Sequence, residues 1–350
     1  MFNYLEPHYV QAFIQAALAE DIGDGDHTSL STVPADATGT AQLLVKDRGI
    51  LAGVELSLAI FKEVDAALQV KVFIHDGIWI EPGQVVLEVT GSSQSILKAE
   101  RLVLNCMQRM SGIATYTRSL VNILEGTRAK LLDTRKTTPN FRLAEKWACK
   151  IGGAVNHRYG LFDMILIKDN HVDFAGGIKA ALEKAFTYNA SLPEPLAIEI
   201  EVRNEDELDQ VLAIGGVSRI MLDNFNPERL RAAIRKIDGR AIDSILEQRV
   251  PRGDQAARAR EIRPELPARP ARLSLSVRPH AQEAGGGVRG RARERADEAR
   301  RRDRRARRDR PAALRWAAAY RHREGEMRSR RPTRSSSRPA CAASSGSRSA

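Results

Sequence analysis

Several short segments of this 350-residue chain place cationic or acidic side chains where an apolar run gives way to a polar one. Residues 129–132 are followed by Asp133-Thr134-Arg135-Lys136-Thr137-Thr138-Pro139, and further on comes Asn156-His157-Arg158. Residues 164–167 lead into Lys168-Asp169-Asn170-His171, residues 197–202 contain Glu199 and Glu201, and residues 219–222 deliver Asp223-Asn224. Arg offers a planar fork that matches carboxylate or phosphate, and Lys adds a point charge. Arg135, Lys136, His157, Arg158 and Lys168 therefore predict a small, multiply anionic ligand. Glu201 and Asp223 would be out of place beside a ligand that was only an anion. They fit one that also carries Mg²⁺, which takes one or two carboxylates plus phosphate oxygens. They also fit an oxocarbenium-like transition state, whose positive charge carboxylates stabilise. The chemistry indicated is transfer at the anomeric carbon of a phosphorylated sugar.

Residues so far apart in sequence converge only if the intervening elements repeat. The apolar runs 129–132, 164–167, 197–202 and 219–222 alternate with helical patterns near 141–150, 178–186, 205–213 and 227–237. Strand-then-helix units imply a parallel sheet, in an α/β barrel or a doubly wound arrangement. In a barrel, ligand-binding side chains meet at the C-terminal ends of the strands. No GxGxxG follows a strand, so a dinucleotide fold has little support. Upstream, Val10, Phe13, Ile14, Ala17 and Leu18 mark a helical face. Strands are expected over 41–45, 70–74 and 85–89, with helices over 54–64 and 95–110, a mixed α/β domain. Glu199 and Glu201 are read as one site residue and one buried salt-bridge partner. His75 and His171 are read as structural, Gly176-Gly177 as a loop, and Cys149 as a packed thiol.

The charge is unevenly spread. Residues 1–250 hold 27 basic and 33 acidic side chains, whereas 251–350 hold 28 Arg, no Lys and 11 acids. A uniformly basic nucleic-acid-binding protein is thereby excluded. The last hundred residues contain only seven Ile, Leu, Val and Phe together, too few to offset chain entropy by burial. That stretch is expected to be disordered, or at best a solvated helix around 291–310. The three cysteines, Cys106, Cys149 and Cys341, form no metal spacing or disulfide framework. With no basic leader and no long apolar run, a soluble, cytoplasmic protein without membrane contact is expected.

The motifs resemble those of the quinolinate phosphoribosyltransferase family. The resemblance is carried by Glu20-Asp-Ile-Gly-Asp-Gly-Asp26-His-Thr28, Ala99-Glu-Arg101-Leu-Val-Leu-Asn105 and Ser111-Gly-Ile-Ala-Thr115. It continues through Asp133-Thr-Arg-Lys-Thr-Thr-Pro139, Asn156-His-Arg158, Lys168-Asp-Asn-His171, Glu199-Ile-Glu201 and Leu222-Asp-Asn-Phe225. It implies a reaction of de novo NAD biosynthesis. Quinolinate and phosphoribosyl pyrophosphate would give nicotinate mononucleotide, pyrophosphate and CO₂, with Mg²⁺ as cofactor. It also implies an N-terminal α/β domain (1–112), an open α/β-barrel domain (113–247) and a homodimer. Thr134, Arg135, Lys136, His157, Arg158 and Lys168 would bind substrates, joined by Arg101 from the partner subunit. Lys136, Lys168, Glu201 and Asp223 would be catalytic, and Glu201 and Asp223 would hold Mg²⁺. A relative acting on another acidic base is the alternative.

Past residue 247 the resemblance stops. Two further strand–loop units of the family, with Ala-Ser-Gly-Gly-like and Val-Gly-Ala-Leu-Thr-like turns, have no counterpart. Residues 248–350 become Arg-, Ala-, Pro-, Gly- and Ser-rich. A lost reading frame near Glu247 is expected, leaving the barrel incomplete and the chain weakly active. The competing expectation is a genuine basic arm that binds nucleic acid, in a family member that need not be catalytic.

Overall fold

The computed structural model describes residues 2–237, 243–247 and 273–279. Its first part opens with α1 (Pro7–Ile22) and α2 (His27–Thr32), the latter N-capped by the Asp26 carboxylate, which accepts the Ser29 amide at 3.0 Å. An antiparallel sheet follows, built on β1 (Thr38–Val45), β3 (Gln69–Val72) and β5 (Val85–Ser92). In β1 residues alternate between the two faces, so Ala41, Leu43 and Val45 all point into the core. The short pair β2 (Gly49–Ile50) and β4 (Trp79–Ile80) lies beside it, and α3 (Val54–Val64) buries Leu56, Ile60 and Phe61.

The 31-residue α4 (Ser93–Ile123) joins the two halves. The expected boundary at 112/113 falls inside this helix, which runs through it unbroken. Ser111 ties it to the first half, its hydroxyl accepting the Ala52 amide at 3.0 Å, and Thr115 accepts the Ile50 amide at 2.8 Å. On its other side α4 packs on α5 (Arg142–Ile151), and the capping Gly152 lies close against α4. A Cβ at Gly152 would sit 2.7 Å from the Ala114 carbonyl oxygen and 2.6 Å from Thr117 Cβ. Gly152→Ala is therefore expected to cost about 1–3 kcal/mol by overpacking, read as a lowered urea midpoint.

The second half is a parallel sheet in chain order: β6 (Ile165–Ile167), β7 (Ile198–Val202), β8 (Arg219–Asp223) and β9 (Asp243–Glu247). Between them run α6 (Asp169–Ala175), α7 (Ile178–Ala190), α8 (Glu205–Ile214) and α9 (Pro227–Ile237). Leu182, Ile200, Val202, Leu208, Val211, Ile220 and Leu222 form its core. The expected strand over 129–132 contributes a single parallel bridge, Leu132 to Val155. Among the described residues no strand pairs with the outer edge of β6 or of β9.

One expectation is corrected. The composition beyond 247 argues against any contribution to the fold, yet Leu273–Pro279 form β10, antiparallel to β1 with Leu43 opposite Leu275. Alternating Leu273-Ser274-Leu275-Ser276 explains it, since Leu273 is buried and Leu275 packs on the first core while Ser276 faces out. The helix expected near 291–310 and the rest of the basic stretch lie outside the described residues. Among those described, no helix is long and apolar enough to cross a membrane.

Candidate active site

The second half sets its polar side chains at the C-terminal ends of successive strands. After β6, Lys168 begins α6; its backbone N–H donates to His171 Nδ1 at 2.9 Å, which gives His171 a capping role. The Lys168 ammonium reaches across to Glu201 on β7, with Nζ 2.9 Å from Oε2. Asp223 ends the next strand, β8. One of its oxygens accepts the Asn224 side-chain amide at 2.6 Å, while the other, Oδ1, is buried without a partner. Burial pushes the Glu201 carboxyl above the ordinary range; Lys168 draws it back, and Asp223 and Asp169 add to the rise.

Glu199 and Glu201 are two residues apart on a strand and so share one face. The two divide as the sequence suggests: Glu201 meets Lys168 at the strand ends, and Glu199 is the buried ion-pair partner of His157. Glu199 Oε2 is 2.8 Å from His157 Nε2, and Glu199 Oε1 is buried without a partner. Arg158 is buried and donates to the Met164 carbonyl at 3.3 Å. Its pKa is lowered, first by burial and then by the neighbouring positive charge of Arg135, whose Nε is itself buried and unpartnered. Two neighbouring guanidinium groups, one with a buried unpartnered Nε donor, suit an anion with more than one oxygen.

Thr134 and Lys136 are exposed in the preceding turn, where the Thr134 hydroxyl accepts the Lys136 amide at 3.1 Å. Arg101 is exposed on α4, and no described hydrogen bond or ion pair joins it to the strand-end residues. The structure thus gathers Arg135, His157, Arg158, Lys168, Glu201 and Asp223, and leaves Arg101 outside. Burial pushes Cys106 up to about 12 and also raises Cys149, so neither thiol is poised as a nucleophile.

Sequence reasoning missed the support beneath this site. Lys146, on α5, is only 1% exposed, and its ammonium lies 2.5 Å from Asp133 Oδ1. The same Asp133 oxygen accepts the His157 amide at 2.8 Å, and Lys146 donates to the His157 carbonyl at 3.2 Å. Asp133 Oδ2 accepts from Asn156 at 2.6 Å. The signal available was a lone Lys among Leu143, Ala144, Trp147 and Ala148, on the buried side of an amphipathic helix.

A parallel α/β sheet with paired cations and carboxylates at its strand ends defines a class: α/β proteins that grip small polyanions at the C-terminal face. Family models sharpen this. Residues 26–111 match "Quinolinate phosphoribosyl transferase, N-terminal domain" and residues 113–248 match its "C-terminal domain". A nicotinate-nucleotide pyrophosphorylase (carboxylating), chloroplastic, from Oryza sativa subsp. japonica is 41% identical over 246 residues, 66% of either protein. A quinolinate phosphoribosyltransferase (decarboxylating) 2a, mitochondrial, from Nicotiana tabacum is 41% identical over 66% of this chain and 70% of its own length. The crystal structure of NadC from Streptococcus pyogenes superposes with a TM-score of 0.67 at 32% identity, covering 80% of this chain and all of that one. The chain belongs to the quinolinate phosphoribosyltransferase family. It spans 66% and 63% of the lengths of two of its plant relatives, from rice and Nicotiana tabacum. The family-model match ends at 248, where the composition changes.

Proposed function

We propose that this chain transfers the phosphoribosyl group of phosphoribosyl pyrophosphate to the ring nitrogen of quinolinate, giving nicotinate mononucleotide, pyrophosphate and CO₂. The observation that carries the reading is the pair of neighbouring guanidinium groups Arg135 and Arg158, beside His157, with the Arg135 Nε buried and unpartnered. A pyridine dicarboxylate relieves that repulsion and is oriented by it. Orientation turns a bimolecular encounter into a near-unimolecular one, a large share of the barrier. The ring nitrogen attacks the anomeric carbon as the bond to pyrophosphate breaks. Glu201 and Asp223 face the sugar as its carbon gains positive charge, and preorganised charge of that kind lowers the barrier. The nitrogen is then cationic, so the adjacent carboxylate can leave as CO₂ with its electron pair on the ring carbon, which takes up a proton.

Mg²⁺ fits this site. Among the described residues no cluster of three or more His, Cys, Asp or Glu ligands exists. The unpartnered Asp223 Oδ1, with Glu201, offers the one or two carboxylates that Mg²⁺ uses beside phosphate oxygens. Bound there, the ion would neutralise charge on the departing pyrophosphate. Lys136 and Thr134 would meet phosphate oxygens from their exposed turn. Arg101 would complete the site of a second subunit in a homodimer, a role supported by its exposure on α4. The unpaired Cys106 and Cys149 favour a reducing compartment, which we take to be the cytoplasm.

A coupled assay for nicotinate mononucleotide tests the proposal. Product is expected from quinolinate with phosphoribosyl pyrophosphate and Mg²⁺, and none from nicotinate, which lacks the second carboxylate. Equal turnover of nicotinate, or no binding of quinolinate, would reject the reading.

A further inference from the structure

The support beneath His157 does not end inside the second half; it continues to the first residues of the chain. The Asn156 side chain donates to Asp133 and to the Lys146 carbonyl at 2.9 Å, and its Oδ1 accepts the Tyr4 hydroxyl at 2.6 Å, across 152 positions of sequence. Tyr4 is buried, and its ring stacks on Tyr159 with centroids 5.0 Å apart and planes 17° from parallel. Phe2 adds an edge contact to Phe162 at 4.9 Å and a tilted one to Tyr159 at 5.3 Å. Asp163 holds the same turn from its far end, accepting the Tyr159 and Gly160 amides at 2.7 and 2.8 Å.

The chemistry of this chain of contacts is directional. An asparagine amide has one acceptor end and one donor end. With Tyr4 donating to Oδ1, the amide nitrogen is turned toward Asp133, whose other oxygen then fixes the His157 backbone. Burial, reinforced by the negative charge of Asp133, pushes the Tyr4 hydroxyl well above its ordinary pKa, so it stays a donor. Tyr4 also precedes both family-model matches, the first of which begins at residue 26.

We propose that Tyr4 is a positioning residue for the anion-binding pair His157 and Arg158, acting through Asn156 and Asp133 and through its stack on Tyr159. The proposal rests on the reading that this pair holds the carboxylates of quinolinate. It makes the segment ahead of α1 a part of the site's frame.

Tyr4→Phe in the full chain keeps the ring and removes only the donor. Amide hydrogen exchange without ligand should become about tenfold faster across 156–158, while β1 and β5 keep their protection. The Kd for quinolinate should rise about five- to tenfold, with the KM for phosphoribosyl pyrophosphate unchanged within about twofold. Tyr4→Ala should weaken quinolinate further. Unchanged exchange at 156–158 overturns the proposal, as does faster exchange spread evenly over the whole chain, the mark of a merely structural role. If the wild-type chain binds no quinolinate, the functional reading falls, and the exchange data still decide what Tyr4 does.

Discussion

Replacing Lys168 with Ala is expected to lower kcat/KM about 10²–10³-fold, the usual cost of removing one preorganised charge from a transition-state site. The geometry makes this variant clean. Lys168 is 37% exposed, so its loss opens no core cavity, and the α6 cap survives because it uses the backbone N–H and His171. What changes is Glu201, which is 2% exposed and then loses the Lys168 ammonium paired with it, with Asp223 nearby. A signature in stability follows. A carboxyl whose folded pKa is raised imposes no penalty when protonated and the full penalty when ionised. Without Lys168 the Glu201 carboxyl rises further. The Tm deficit of the variant should therefore grow as the pH climbs from the ordinary carboxylate range upward, and vanish in Lys168→Ala/Glu201→Gln. A deficit independent of pH would mean that Lys168 and Glu201 are not coupled in solution. Wild-type turnover in Lys168→Ala would remove it from the chemistry.

The line of cations and acids is readable in the sequence because three signals coincide there. Apolar runs stop, helical periodicity begins, and the residues between are Arg, Lys, His, Asp or Glu. The helices Val54–Val64 and Pro227–Ile237 have the expected bounds, since their apolar spacing and flanking turn residues agree. β10 is hidden because five alternating residues, Leu273 to Val277, stand in a stretch whose composition argues against burial; only pairing with β1 rescues them. The long α4 reads as shorter than it is because its apolar positions thin out past Met110, and tertiary contacts at Ala114 and Thr115 carry it onward. The pairing of Glu199 with His157 and the reach of Tyr4 to Asn156 depend on contacts 42 and 152 residues apart, which no local pattern encodes. Lys146 is illegible for a different reason. A Lys on a helix is ordinarily a solvated charge, and its burial follows only from the position of Asp133.

That burial makes Lys146→Met the most damaging substitution for stability, with an expected loss of about 3–5 kcal/mol in urea unfolding. Met fills the volume of the Lys stem, so packing is largely kept. The cost comes from the Asp133 carboxylate, 4% exposed and left with amide donors but no cation. Changing both partners should cost less than changing one. In Lys146→Met/Asp133→Asn no uncompensated charge remains, and the pair should recover a substantial part of the loss. A double mutant as unstable as the sum of the singles would show that the two residues act independently. Function should not recover with stability. An amide at position 133 cannot accept from both Asn156 and the His157 backbone as the carboxylate does, and the His157 carbonyl no longer has its donor. The double mutant should fold and still bind quinolinate poorly, which separates the stability supplied by this buried pair from its work of aiming His157 and Arg158.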